Sequence, residues 1–112
     1  MPMDIPTFRK LLALDPNDPL SRFALGKKLF EETPTPAALT EAAEHLTFAN
    51  AKSPEHLATY HILSQVLIRL GRTTEAGRVL EAGLARTADI GEGMGRDLGP
   101  AMRALLETLP PS

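Results

Sequence analysis

The chain has 112 residues, 43% hydrophobic and 23% charged, with a formal net charge of −2. Such a composition suits one globular domain and, with both signs interspersed, excludes nothing more than a strongly charged partner: neither nucleic acid nor a membrane surface is expected. The absence of cysteine rules out disulfides, thiolate metal sites and thiol catalysis together.

Proline and glycine divide the sequence into helical segments. Asp4 is placed to cap a helix over 5–14 carrying Phe8, Leu11, Leu12 and Leu14, with Pro6 tolerated in its first turn. Asp15-Pro16-Asn17-Asp18-Pro19 breaks that helix. Asp18 then supplies a cap and Pro19 a first helical residue, so a second helix runs to about Glu32. In Thr33-Pro34-Thr35-Pro36 each proline pushes its predecessor out of helical geometry. Pro36 opens a third helix with Leu39, Ala42, Ala43, Leu46 and Ala49 at helical spacing, ending near Asn50.

Ser53-Pro54-Glu55 repeats the cap-plus-proline start ahead of a fourth helix, where Tyr60, Leu63, Leu67 and Leu70 form one stripe. Gly71 stops it by accepting left-handed geometry. Thr73 is placed to cap a fifth helix with Ala76, Leu80, Gly83 and Leu84 facing inward. A glycine-rich connector over 89–96 precedes a last helix over 97–109, with Leu98, Met102, Leu105 and Leu109 on one face. Nothing alternates over strand lengths, so the fold class is all-α.

Leu25-Gly26 is followed by Ala42, Leu46 and Ala49, and Leu63-Ser64 by Ala76, Leu80 and Gly83. One helix-turn-helix unit is thus written twice. Such a unit cannot bury its apolar face alone and must stack on a neighbour. Gly26 and Ser64 mark where paired helices cross closest; Ala42, Ala49, Ala76 and Gly83 supply the small side of the same contacts. Phe8, Leu11 and Asp15-Pro16 precede Leu46, Ala49 and Ser53-Pro54 by a constant thirty-eight positions, as half of a further unit.

This pattern resembles the tetratricopeptide repeat. The likeness rests on Leu25, Gly26, Leu29, Ala42, Leu46, Ala49 and Pro54 in one copy. In the other it rests on Tyr60, Leu63, Ser64, Leu67, Gly71, Ala76, Leu80 and Gly83. Arg22 departs from it, standing where the family prefers a large aromatic, and Ala88 stands in place of a closing proline. The first copy also has four extra residues in its turn. The resemblance implies a short right-handed superhelix of about six antiparallel helices in a single domain over 1–112. Its parts are an N-terminal helix over 5–14, repeats over 19–52 and 54–88, the connector over 89–96 and a capping helix over 97–109.

In that family the first helices of successive repeats line a concave groove that takes a peptide. The corresponding stripes here are Leu20, Phe23, Lys27 and Phe30, and Ala58, His61, Gln65 and Ile68. Each shares one helix face, distinct from the Leu25-Leu29 and Leu63-Leu67 packing faces. Phe23 and Phe30 are read either as groove floor or as side chains covered by the N-terminal helix. Of the basic residues with which some relatives clamp a partner's terminal carboxylate, only Lys27 offers a counterpart, with His61 and Gln65 where the others would stand. The implied function is a protein-interaction module; the alternative is a subunit that self-associates, as a homodimer or in a larger complex.

Other sites are not expected. His56 and His61 are five apart, poor spacing for two metal ligands on one helix, and His45 with Glu41 reads as a solvated pair. Gly91, Gly93, Gly95 and Gly99 miss the dinucleotide spacing, and no strand precedes them. Glu31, Glu32, Glu41 and Glu44 lie on helix surfaces without an evident cleft, so neither an enzyme nor a cofactor is expected. Residues 1–10 lack the apolar core of a signal peptide, and no run nears the ~20 residues that span a bilayer; the expected location is the cytoplasm.

Overall fold

The computed structural model describes residues 4–90 and 98–110. Among them are six helices and no strand, as the all-α reading requires. The helices are α1 (Ile5–Leu14), α2 (Pro19–Glu32), α3 (Pro36–Lys52), α4 (Leu57–Arg69), α5 (Thr73–Ile90) and α6 (Leu98–Thr108). The chain divides into two compact units, Met1–Pro54 and Glu55–Ser112.

In the first unit each helix opens on a side-chain cap. Asp4 accepts from the Thr7 amide at 3.0 Å and the Thr7 hydroxyl at 2.7 Å. Asp18 accepts from the Leu20 amide at 3.2 Å and the Ser21 hydroxyl at 2.6 Å, and Thr35 from the Ala38 amide at 3.2 Å. Pro6, Pro19 and Pro36 fall in first turns, where the missing N–H has no intrahelical partner to lose.

α2 packs against α3 and buries Leu25, Gly26 and Leu29. From α3 come Ala38, Leu39, Ala42, Ala43, Leu46 and Ala49, all buried. Gly26 is required by the approach itself: a Cβ there would stand 2.7 Å from Leu46 Cγ and 3.3 Å from the Ala42 carbonyl oxygen. α1 packs on α2 and buries Phe8. Leu11 and Leu14 do not join that core; they are 37% and 84% exposed. The inward stripe of α1 is Ile5, Phe8 and Leu12, spaced three and four apart, and Leu14 falls on the far side of it.

In the second unit α4 begins at Leu57, three residues later than the Ser53-Pro54 signal suggests. Ser53 instead terminates α3, its amide donating to the Ala49 carbonyl at 2.9 Å, and Pro54 and Glu55 form the turn. His56 occupies the cap position, with no side-chain bond to the helix amides. At the other end Gly71 adopts φ +77°. The Arg72 amide reaches back to the Leu67 carbonyl and the Gly71 amide to that of Ile68, a paired closure that absorbs two orphan carbonyls. Arg72, and not Thr73, precedes the first residue of α5, and its carbonyl accepts from Ala76.

α5 continues through Asp89 and Ile90, so the expected connector does not begin at 89. Residues 91–96 of that connector, and Asp97, lie outside the described residues. α6 packs on α5 and α4. Tyr60, Leu80 and Met102 form the buried centre, with Val79, Leu84, Leu98, Leu105, Leu106 and Leu109 packed around them. Gly83 admits this arrangement, since a Cβ would stand 2.8 Å from both Tyr60 Cβ and Met102 Sδ. The two buried polar residues of α4 are satisfied locally: the Thr59 hydroxyl pairs with His56 Nδ1 at 2.8 Å, and the Ser64 hydroxyl donates to the His61 carbonyl at 2.8 Å.

The two α5 glycines predict opposite responses to the same change. Gly83→Ala overpacks the site at a cost of about 1–3 kcal/mol, outweighing a helix-propensity gain of roughly 1 kcal/mol. At Gly77 an added Cβ meets only Leu109 Cδ1, at an ordinary 3.7 Å, so Gly77→Ala keeps that gain. Urea denaturation should show a lowered midpoint for the first variant and a raised one for the second.

Candidate functional site

On α2, Leu20 is 66% exposed. Phe23 and Phe30 are half-buried and Lys27 is exposed. The phenylalanines are thus neither fully open nor sealed. On α4, Ala58, His61, Gln65 and Ile68 are all half-buried, one turn apart along a face that excludes the buried Leu63, Ser64, Val66 and Leu67. Each stripe therefore keeps accessible surface beside a helix face committed to packing.

The polar members differ in how much they have left to offer. Lys27 Nζ lies 3.7 Å from Glu31 Oε2, an exposed pair one turn apart that water screens heavily. Gln65 donates its amide to the His61 carbonyl at 3.2 Å, leaving the side-chain oxygen for an outside donor. Burial depresses the pKa of His61 below its ordinary 6.5, because the imidazolium loses hydration that no anion replaces. Near neutral pH this ring is uncharged. No group of three metal-ligating side chains occurs among the described residues.

Two constellations in the first unit were not legible as such. His45 and Glu41 are more than a solvated pair. Arg9 grips both Glu41 carboxylate oxygens, at 2.6 and 3.1 Å, while His45 Nε2 lies 3.1 Å from Oε2. The guanidinium is the main reason the Glu41 carboxyl titrates below its usual range. This clamp ties α1 to α3. The other is Arg22, whose guanidinium lies 4.2 Å over the Phe48 ring while Nε donates to the Pro16 carbonyl at 2.9 Å. A cation on an α3 aromatic thus stands where the family usually places an aromatic.

The family model of the tetratricopeptide repeat matches residues 37–91, the span that contains α4, α5 and all but the first residue of α3. With the glycine-mediated helix pairing at Gly26 ahead of that span and at Gly83 within it, the chain is a tetratricopeptide repeat protein. Comparison with curated proteins gave no match. Repeats of this kind are, as a class, protein–protein interaction modules.

The depressed His61 pKa fixes a sign. The folded state prefers the neutral ring, so the unfolded chain binds more protons once pH falls below about 6.5, and stability declines from there downward. His61→Gln removes that contribution. Denaturation midpoints compared at two pH values on either side of that point should fall less for the variant than for the parent.

Proposed function

We propose that the protein is a cytoplasmic adaptor, without enzymatic activity, that holds a peptide or protein segment along the first helices of its repeats. Leu20, Phe23 and Phe30 on α2, with Ala58 and Ile68 on α4, supply apolar contact; Lys27, His61 and Gln65 supply the polar handles. The observation that carries this reading is the accessibility of both stripes beside fully packed faces, with Leu20 exposed to 66% at one end. A partner segment that covers Leu20 and the half-buried phenylalanines takes that apolar surface out of water. The segmental pattern of three- and four-residue spacing suits an amphipathic helix or an extended segment with anchors at matching intervals. Among the described residues no helix is long and apolar enough to cross a membrane.

A second reading, self-association, is favoured by one observation. Leu11, Leu14 and Leu20, at 37%, 84% and 66% exposure, all fall where α1 ends and α2 begins. A symmetric contact between copies would cover them.

Selection of a displayed random peptide library on the immobilised protein tests the first reading. Enriched peptides should bind Phe30→Ala and Ile68→Ala about tenfold more weakly or worse, the scale of a lost apolar anchor, while both variants keep a cooperative thermal transition. Collapse of that transition in Phe30→Ala assigns the ring to the core. Light scattering across a concentration series decides the second reading, which a monomer at high concentration removes.

A further inference from the structure

Where α1, α2 and α3 meet lies an open, shallow basin of about 310 Å3, lined by Arg9, Leu12, Ala13, Pro16, Arg22, Leu25 and His45. Its floor is aliphatic and its rim is cationic. Arg9 is already neutralised, both of its terminal nitrogens being spent on the Glu41 carboxylate. The same carboxylate also takes the His45 ring nitrogen. Arg22 is different: Nε is used by the Pro16 carbonyl and one face rests on Phe48, yet neither terminal amino group has a partner among the described residues.

An arginine pinned at Nε and stacked on an aromatic has already given up much of its rotamer freedom. The two remaining nitrogens are therefore presented to a carboxylate at little further entropic cost. Leu12, Ala13 and Leu25 adjoin that position and match an aliphatic group on the same ligand. We propose that this basin is a second binding site, taking an acidic side chain next to an aliphatic residue in a partner peptide. The carboxylate pairs end-on with the Arg22 terminal nitrogens and the aliphatic side chain lies on the Leu12–Leu25 floor. The basin is open at its rim, so a chain can enter and leave. The site uses none of the residues assigned to the α2 and α4 stripes, so it stands or falls apart from that reading.

The test is a titration followed by amide and arginine-Nε nuclear magnetic resonance on the full chain. The probes are N-acetyl-leucyl-glutamyl amide, its glutaminyl analogue, and N-acetyl-leucine. The glutamyl peptide should shift Leu12, Ala13, Leu25 and the Arg22 Nε resonance, and the glutaminyl analogue should bind about tenfold more weakly, the scale of one charge-assisted bond. Ala13→Glu, at an exposed position, sets a tethered carboxylate beside Arg22 and should abolish the shifts without unfolding the chain. Arg22→Gln should abolish them too, but it also loosens the Pro16 turn, which makes Ala13→Glu the deciding variant. Equal binding of the two peptides, no saturable shift at the basin, shifts that survive Ala13→Glu, or binding of N-acetyl-leucine alone would each overturn the proposal.

Discussion

Close approach of paired helices is the constraint on which both units depend, and glycine is what permits it. At Gly26 the backbone of α2 comes so near α3 that a methyl group would collide with Leu46. At Gly83 the backbone of α5 is held against Tyr60 and Met102 in the same way. Protein interiors are packed to crystal density, so a contact of this kind fixes which residues face each other along the whole pair of helices. Helix weakening at each glycine, roughly 1 kcal/mol, is offset by the buried leucines on either side. The faces left over, and hence the surfaces open to a partner, are set by that same register.

Much of the fold was legible because its local chemistry is unambiguous. Asp4 and Asp18 cap helices as their spacing with Pro6 and Pro19 implies, and Gly71 takes the positive φ that its place after an apolar stripe demands. The alanines and leucines of α3 are buried at the expected period. The misreadings occur where one residue serves two elements. Ser53-Pro54 carries a start signal, but its serine amide is spent closing α3. Arg72 completes the closure of α4 and opens α5 with its own carbonyl, leaving Thr73 inside the helix. Between Gly83 and Gly91 no residue opposes helical geometry, so α5 runs on through Ile90.

Of the candidate surfaces, the stripes were legible and the clamps were not. Three- and four-residue periodicity along one helix places Phe23, Lys27 and Phe30 together without any knowledge of neighbours. The contact between Arg9 and Glu41 joins residues thirty-two positions apart, and no local rule brings them together. Arg22 stacked on Phe48 is equally non-local, and its position was legible only as a departure from the family pattern. Degrees of exposure were beyond the sequence for the same reason. Leu11 and Leu14 are as apolar as Phe8 and Leu12, but which side of α1 meets α2 is decided by Ile5, Phe8 and Leu12.

The distribution of charge decides how such surfaces can discriminate. Lys27 with Glu31 and Lys28 with Glu32 are exposed pairs one turn apart, each worth little in water and each cancelling its own long-range field. His61 is neutral near pH 7 because burial disfavours its cation. With a net charge of −2 on the whole chain, no strong field draws a charged partner from a distance. On the proposed reading, selection along the α2 and α4 stripes rests on short-range fit of apolar groups. A single unbalanced guanidinium such as Arg22 has greater relative weight in these surroundings than it would on a densely charged surface. Held by Pro16 and Phe48, it can contribute direction as well as charge, which the paired lysines of α2, each offset by its own glutamate, cannot.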